Sequence, residues 1–494
     1  MNTQFNIQSD AIAHLPIEGL TPITVIGTEK IRNGFDALCL EQAMNSRRAP
    51  GVSALVLNPD AHAGYGAPVG CVMASPSHIY PGPVGVDIKC SMSLLQLNIP
   101  EEELRSKDAR RALINAICER TPTGAGKGQR SVRKSRRVNE STGFAVATQG
   151  ASPEVLEQIG IPASWAEYCE DAFHLGHDGK RSTLEARLDT LRGEGLFPKF
   201  KEKMEQLGSY GGGNHFGECE IVDIVEGMES TANTFGLKNG HAAFLSHCGS
   251  RGFGYQLAHN QFRTLQKNFT ATGTAFPGDD KELVYAELGS EAANNYLDDM
   301  ALGANFATVN HLLINALVLD AFREIFPGAD GNLVYFISHN IARLEDINGT
   351  PTWVHRKGAT RAVPAGHQSL SGTPFSATGH PILLPGNPQD GSAVMVASAG
   401  AKDSLYSVNH GAGRALGRRA AMRTLSQKDV DISFGKKDIL TNCREYPLDE
   451  APAAYKDFKE VLRSVESADL ARQVARLKAR FVIKDSDKSL GGAA

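Results

Sequence analysis

Five histidines of this chain lie in short stretches whose polar side chains have the composition of a metal or phosphate site. Glycine beside a polar side chain lets the backbone approach a ligand closely, and its freedom in φ helps to aim that side chain. Neutral imidazole is the commonest metal ligand among side chains. The five are His62 in PDAHAGYG, His215 in GGGNHFGE, His247 in SHCGSRG, His339 in SHNIAR and His410 in NHGAGR.

The stretch PGPVGVDIKCSM, residues 81–92, adds a carboxylate and a thiol, Asp87 and Cys90. With the histidines they make a set of oxygen, sulfur and nitrogen donors that transition metals bind, and a thiolate is able to bridge two cations. From residue type alone zinc is the first choice, because cysteine and histidine are its usual ligands. The long spacings do not fit a structural zinc module. They indicate a catalytic centre assembled from several strand ends.

Two glycine-rich stretches suggest a second kind of ligand. GSYGGGNHFGE and HGAGRALGRR expose backbone N–H groups, and Arg414, Arg418 and Arg419 belong to the second of them. Such loops suit the phosphates of a nucleotide. GAGKG at 124–128 is not a Walker A loop, because the chain has Thr121 and Gly128 where that motif needs Gly and Ser or Thr. Metal ligands, phosphate-binding loops and basic side chains together indicate phosphoryl or nucleotidyl transfer.

Composition describes an ordinary soluble protein. Of 494 residues, 41% are apolar and 21% charged, and the formal net charge of −4 does not indicate a nucleic-acid binder, so a polyanion would need a local basic face. GQRSVRKSRR, residues 128–137, carries five basic side chains and no acid. It is either a solvated loop or a phosphate-contacting patch, and we take the RNA contact as a hypothesis.

Eight scattered cysteines with no CxxC pair indicate reduced thiols. We find no signal peptide and no apolar run of about 18 residues, so we expect a cytoplasmic protein with no membrane partner. The longest apolar stretch, HLLINALVLDAF at 311–322, predicts a buried helix.

Two kinds of segment alternate along the chain. Residues 101–118, 153–206 and 449–480 read as charged helices with an apolar stripe. VSALVLNPDAHAG, HAAFLSHCGSRG, NLVYFISHN and YSVNHGAGR read as strands that present polar residues at their C-terminal ends. No repeat or long linker divides the chain. We therefore predict one large α+β domain spanning residues 1–494.

The motifs, taken together, resemble the RtcB-type RNA-splicing ligases. The matching stretches, in family order from about residue 58 to residue 459, are PDAHAGYG, GVDIKC, LGSYGGGNHFGE, SHCGSRG, NFATVN, SHNIAR, VHRKGATRA, HGAGR and EAPAAYKD. The resemblance implies an RtcB-like fold, with central β-sheets surrounded by helices and a C-terminal segment that closes the nucleotide pocket.

The family joins RNA ends bearing a 2′,3′-cyclic phosphate or 3′-phosphate to ends bearing a 5′-hydroxyl, using GTP and manganese. The resemblance therefore implies RNA and GTP as partners, two Mn²⁺ ions in place of zinc, and a role in RNA repair or tRNA splicing. It also allows an activating protein factor. The implied metal ligands, with Cys90 as the bridging one, are Asp87, Cys90, His215, His247 and His339.

His410 matches the family's nucleophile, which forms a histidine–GMP phosphoramidate, and Asp60 resembles the carboxylate that orients it. Arg251 in GSRG is an implied RNA-phosphate contact. The implied nucleotide contacts are Asn214, Glu218, Ser392, Ala412, Gly413, Tyr455 and Lys484.

The chain departs from the family pattern at three places. GVDIKC replaces GVDIGC and would place Lys89 beside the metals, and Cys248 follows His247 where the family has serine. The loop PGNPQDGSAV at 385–394 differs most from the family's PGSMGTASY. Two alternatives to a ligase therefore stay open: an enzyme that guanylylates (caps) RNA 3′ ends and joins them weakly, and a metal-dependent cyclic phosphodiesterase that uses no nucleotide.

Overall fold

The computed structural model describes residues 5–132, 134 and 136–485. Within them the chain is a mixed α/β protein with two large sheets and flanking helices, which confirms the predicted fold class.

The strands are β1 (Asn6–Ile7), β2 (Ile12–Ile17), β3 (Leu20–Ile26), β4 (Ala54–His62), β5 (Val69–Ser75), β6 (His78–Ile79), β7 (Ser91–Pro100), β8 (Phe216–Ile224), β9 (His241–Cys248), β10 (Ala286–Glu287), β11 (Gly331–Ser338), β12 (Asn340–Ile347), β13 (Thr350–Lys357), β14 (Ala359–Arg361), β15 (Pro381–Asn387), β16 (Gly391–Ala397), β17 (Ser407–Asn409), β18 (Leu440–Thr441) and β19 (Ala471–Lys484).

The α-helices are α1 (Glu29–Asn33), α2 (Ala37–Arg48), α3 (Lys107–Cys118), α4 (Glu140–Gln149), α5 (Pro153–Gln158), α6 (Arg181–Gly193), α7 (Phe200–Met204), α8 (Glu229–Thr234), α9 (Arg251–Thr272), α10 (Glu291–Ile325), α11 (Arg418–Thr424), α12 (Gln427–Lys437) and α13 (Phe458–Ser467).

The first sheet has the strand order β1-β2-β3-β4-β5-β13-β12. Its neighbours are antiparallel except β3 and β4, which run parallel. Strands β12 and β13 form a hairpin whose two-residue turn is Asn348-Gly349. Both turn residues have positive φ, 53° and 83°, which is the geometry that asparagine followed by glycine favours.

The second sheet has the order β11-β7-β9-β8-β19-β16-β15, and every neighbouring pair in it is antiparallel. Strand β18 adds to β19 in parallel. Strands β14 and β17 make a separate antiparallel ribbon. The antiparallel order sets where the strand ends lie, because the start of one strand meets the end of its neighbour.

Helix α10 passes through the largest hydrophobic cluster and contains the predicted buried helix at 311–322. It is the one helix among the described residues that is long and apolar enough to cross a membrane, and its apolar window is entirely buried inside the protein. Such burial is what the core helix of a globular fold shows.

The predicted strands that end in polar residues are confirmed as β4, β9, β11 and β17. The helical prediction for 449–480 is wrong at its end, because residues 471–484 form β19. From Arg476 to Ala479 exposed cations alternate with buried apolar residues, which is the period-two pattern of a strand. Residues 169–180 also lie outside any helix, so the helical reading of 153–206 holds only in part.

Asn310 connects the centre of α10 to two loops. Its Oδ1 accepts from the backbone N–H of Gly208 at 2.7 Å, and its Nδ2 donates to the carbonyl of Gly249 at 3.1 Å. Asn310 is fully buried, so water cannot take over its hydrogen bonds to these backbone groups. The loops it holds adjoin His215 and His247.

We expect Asn310→Leu to lower the free energy of unfolding by about 3 kcal/mol, because it leaves buried backbone groups unpaired. Urea unfolding monitored by circular dichroism measures the loss. Asn294→Leu, on the same helix and partly exposed, is the matched control and should change stability far less. Equal stability of the two variants would contradict the role given to Asn310.

Candidate metal and nucleotide site

Four of the predicted ligands meet at one end of the second sheet because of its register. Ser91 pairs with Cys248, and Phe216 pairs with His247. Ser338, the last residue of β11, pairs with Ser91 as well. The predicted ligands that lie at or next to these strand ends are Cys90, His215, His247 and His339.

The donor atoms of this cluster lie within contact distance of one another. The Cys90 Sγ lies 3.2 Å from the His247 Nε2 and 3.5 Å from the His215 Nε2. These three residues are buried, and their ligand atoms fit around one metal ion. The His339 Nε2 lies 3.3 Å from that of His247, and an Asp87 oxygen lies 2.9 Å from that of His215.

Backbone carbonyls orient two of the imidazoles. The Nδ1–H of His215 donates to the carbonyl of Tyr210 at 2.9 Å, and that of His247 donates to the carbonyl of Asn214 at 3.2 Å. Each ring therefore presents the Nε2 lone pair to the cluster, as metal-ligating histidines do. Lone pairs of sulfur, nitrogen and a carboxylate then face one another at close range. A divalent cation is the group that makes such a donor set favourable, so the residues fit a metal.

The electrostatics of the cluster agree with that fit. Burial lowers the pKa of His247 and of His339 well below the usual range, and neighbouring imidazoles add to the effect. Both rings are therefore neutral, the form that binds metal. Burial, with Asp87 beside it, raises the pKa of Cys90 well above its usual range. A bound cation would reverse this and hold the sulfur as a thiolate.

His410 and Asp60 form a close pair next to the metal cluster. The Nδ1 of His410 lies 2.6 Å from an Asp60 oxygen, which also accepts the backbone N–H of His410 at 3.1 Å. Asp60 is fully buried, and the His410 ring centre lies 4.8 Å from that of His339. With Nδ1–H donated to Asp60, the lone pair of Nε2 is free.

Glycine at 413 permits this pair. Its φ is +71°, and a Cβ there would lie 2.4 Å from the carbonyl oxygen of Asp60. The backbone N–H of the neighbouring Ala412 donates to the carbonyl of Pro385 at 3.1 Å. His62 is not a member of the metal cluster: its Nδ1 lies 2.9 Å from the carbonyl oxygen of Asp60.

One cavity brings together four of the seven predicted nucleotide contacts. Its walls include Glu218, Ser392, Tyr455 and Lys484. The other three, which lie outside this lining, are Asn214, Ala412 and Gly413. Part of the divergent loop, from Pro385 to Pro388, forms one wall. The divergent loop therefore forms part of the cavity wall.

Glu450, which the sequence analysis did not single out, connects the polar residues of the cavity. Its carboxylate accepts from the Tyr455 hydroxyl at 2.5 Å and lies 3.1 Å from the Lys484 Nζ. Arg418 and Arg414 pair with its other oxygen at 2.6 and 3.2 Å. Glu450 is the first residue of the quoted motif EAPAAYKD, and its place in this motif was the sequence signal that could have identified it.

The cations decide the ionisation of Glu450. Burial would raise its pKa, but Lys484, Arg418 and Arg414 outweigh burial and lower the pKa to about 2. Lys484 and Tyr455 are thus held in place by an ionised carboxylate rather than by each other.

Arg251 lies near the predicted metal ligands, is half-buried and is held by contacts within the protein. Its Nε donates to the Ser209 hydroxyl at 3.1 Å, and its guanidinium occupies the space that a side chain at Gly211 would need. Its contact with RNA stays a prediction. Three described cations of the basic run, Arg130, Lys134 and Arg136, pair with carboxylates of Glu205, Glu324 and Asp320, which favours a structural role for them. Arg133 and Ser135 lie outside the described residues.

Lys89 does not join the metal donors, contrary to expectation. Its buried Nζ binds the Asp171 carbonyl at 2.9 Å, the His174 Nε2 at 2.9 Å and the Thr308 hydroxyl at 2.8 Å. Its φ of 53° lies in the left-handed region that favours glycine, which explains why glycine suits this position. The lysine anchors the 171–174 segment instead.

We expect Glu450→Gln to lower the free energy of unfolding by about 3 kcal/mol at neutral pH, because the pKa of Glu450 falls from its ordinary 4.5 to about 2 on folding. A carboxyl whose pKa is lowered by folding stabilises the folded protein at pH values above the pKa of the unfolded state. The difference between parent and variant should therefore be constant from pH 8 to about 5 and shrink as pH falls toward 2.

Urea unfolding over this pH range tests the expectation. Asp429→Asn, in the first turn of α12 and exposed, is the control and should show no comparable difference. A Glu450→Gln difference that grows on acidification would contradict the assignment.

The chain is similar in sequence to known RNA ligases. The family model described as tRNA-splicing ligase RtcB matches residues 42–485. The chain is 33% identical over 470 residues to the tRNA-splicing ligase RtcB of Pyrobaculum aerophilum, covering 90% of this chain and 91% of that one. It is 33% identical over 452 residues to the RNA-splicing ligase RtcB of Mycobacterium bovis, covering 88% and 98%. The chain therefore belongs to the RtcB family of RNA ligases.

Proposed function

We propose that this chain is a GTP- and Mn²⁺-dependent ligase that joins RNA ends bearing a 2′,3′-cyclic phosphate or 3′-phosphate to ends bearing a 5′-hydroxyl, through a histidine–GMP intermediate. The observation that carries the proposal is the His410–Asp60 pair, 2.6 Å apart beside the cluster of metal donors. A cyclic phosphodiesterase has no need of such an oriented nucleophile. Family membership supports joining of RNA ends in tRNA splicing. RNA repair and a cytoplasmic location stay predictions.

The nucleophile is the Nε2 of His410. Asp60 accepts the Nδ1–H and so keeps the Nε2 lone pair available, the arrangement of an oriented nucleophile. A bond forms from Nε2 to the α-phosphorus of GTP as the bond to pyrophosphate breaks, and pyrophosphate leaves. The buried carboxylate of Asp60 stabilises the positive charge that the ring gains. GMP then passes to an RNA 3′-phosphate, and the 5′-hydroxyl displaces it.

Two Mn²⁺ ions would be held by Asp87, Cys90, His215, His247 and His339. Bound there, the ions supply charge neutralisation to the phosphates. Arg251, on the strand-to-helix turn after His247, would contact RNA phosphate.

The cavity supports a guanine nucleotide. Guanine presents the N2 amino group as a donor and O6 as an acceptor. Glu218 would accept from the donor edge, Lys484 would donate to the acceptor, and Tyr455 would offer an aromatic face. Adenine lacks this combination. Asn214, Ala412 and Gly413 would contact the phosphate side, and Ser392 the base.

We expect His410→Ala to abolish a GMP adduct that the parent forms with GTP and Mn²⁺ and does not form with ATP. Asp60→Asn should slow adduct formation by about 100-fold or more, because the ring loses its orienting acceptor. Intact mass spectrometry measures both. His62→Ala, which also removes an imidazole next to Asp60, is the control and should keep the adduct.

Survival of a GMP adduct in His410→Ala would refute this nucleophile. A parent that forms no adduct yet binds metal and hydrolyses a cyclic phosphate would support the phosphodiesterase alternative. A parent that guanylylates RNA 3′ ends and joins them poorly would support the capping alternative.

We expect Cys90→Ala to lose bound manganese, because the sulfur is central to the donor set. Elemental analysis after gel filtration measures metal per chain. Cys219→Ala, a buried cysteine of β8 that belongs to the hydrophobic core, is the matched control. Undiminished manganese in Cys90→Ala would remove this residue from the site.

A further inference from the structure

A second groove, larger than the nucleotide cavity, lies beside it, and the proposed reaction does not use it. Helix α13 and strand β19 line this groove, together with the loop from Pro388 to Ser392. Pro388 and Ser392 also line the nucleotide cavity, so the same loop borders both. We call it the basic groove after the six cations of its lining: Lys437, Lys459, Arg463, Arg476, Lys478 and Arg480.

Secondary structure brings these cations to one surface. Arg476, Lys478 and Arg480 alternate along β19, so their side chains point to the same side of the sheet. Lys459 and Arg463 are four residues apart on α13 and therefore share one face of that helix. Had residues 476–480 been helical, their three cations would have pointed in different directions. The strand collects them in the groove.

Half of these cations are not paired with an acid. The three that pair with carboxylates outside the groove are Arg463, Lys478 and Arg480. In the part of the chain that the structure describes, no carboxylate pairs with the other three, which are exposed: Lys437, Lys459 and Arg476.

The acidic residues of the lining do not balance this charge. They are Asp390 and Glu466. Asp390 accepts from the side-chain amide of Asn387 at 2.7 Å, and Glu466 accepts from that of Gln473 at 3.0 Å. Both carboxylates are thus bonded to neutral amides, and the positive charge of the groove stays available to a ligand.

The groove belongs to the basic part of an acidic chain. Residues 414–484 contain 16 Lys and Arg and 10 Asp and Glu, a net charge of +6 in a chain whose formal net charge is −4. The rest of the chain is therefore acidic, and its field directs a polyanion to this part. The run at 128–137 is a poorer candidate, because three of its described cations are paired with carboxylates.

We propose that the basic groove binds the phosphate backbone of the RNA substrate. Lysine and arginine contacts to phosphate position a nucleic acid without reading its sequence. The groove contains none of the predicted metal ligands, so it holds the body of the RNA rather than the ends that react. The inference rests on the proposed function, since it concerns the RNA whose ends are joined.

The test compares the parent with the triple variant Lys437→Gln/Lys459→Gln/Arg476→Gln. Fluorescence anisotropy measures binding of a labelled single-stranded RNA bearing a 3′-phosphate, with Mn²⁺ and without GTP, over a series of salt concentrations. We expect the variant to bind RNA about tenfold more weakly at low salt. The steepness of log K against log salt should fall by about 2, because each phosphate contact on a single strand contributes about 0.7.

The matched control is Arg48→Gln/Lys238→Gln/Lys267→Gln, which removes three exposed cations outside the groove and changes the net charge equally. It should bind RNA within about twofold of the parent. Both triple variants should keep the parent's Tm, because every substituted side chain is exposed. GMP adduct formation needs no RNA, and none of the substituted residues lines the nucleotide cavity, so the adduct tests the nucleotide site separately.

The inference is overturned if the groove variant binds RNA as the parent does, if its loss is no greater than the control's, or if the salt dependence is unchanged. Loss of affinity for polyglutamate with unchanged affinity for RNA would also overturn it and assign the groove to an acidic polypeptide. A parent that forms no GMP adduct would instead refute the proposed function. RNA binding is measured without GTP, so the two failures are distinguishable.

Discussion

Strands β7, β8, β9 and β11 lie antiparallel in one sheet, and this arrangement brings two strand beginnings against two strand ends. The ligands Cys90 and His215 directly precede strands, His247 belongs to a strand end and His339 directly follows one. Backbone hydrogen bonds of the sheet therefore set the positions of the donors more precisely than flexible loops would. The sheet also holds together a polar cluster whose burial is unfavourable unless a cation is bound.

The proposed nucleophile, His410, reaches this cluster from outside the second sheet. Asp60 lies on β4, and His410 follows β17, whose ribbon partner β14 begins at Ala359. Ala359 pairs with Asn409 and donates its N–H to the carbonyl of His339 at 3.1 Å. Ala359 thus connects the proposed metal ligand His339 to the proposed nucleophile His410 through the backbone.

The cavity places carboxyls of opposite character side by side. Glu450 has three cations around it and stays ionised, whereas burial raises the pKa of Glu218 to about 8 against the opposing charge of Lys484. Pairs of acids whose environments push their pKa values apart are a recurring feature of functional sites. In this cavity the ionised carboxylate of Glu450 holds the cationic wall in place.

From the residue types alone the sequence predicted a set of metal-type donors and the strands that present them, and the resemblance of its motifs predicted the family and the His410–Asp60 pair. The motifs could not show which of these residues would touch. Cys90 and His247 are 157 positions apart yet 3.2 Å from each other in space. Glu450 opens the motif EAPAAYKD, but nothing in the motif shows the three cations that folding brings to its carboxylate. Residues 471–480 were wrongly predicted to be helical. They form part of strand β19 through hydrogen bonds to β8 and β16, which come from distant parts of the chain.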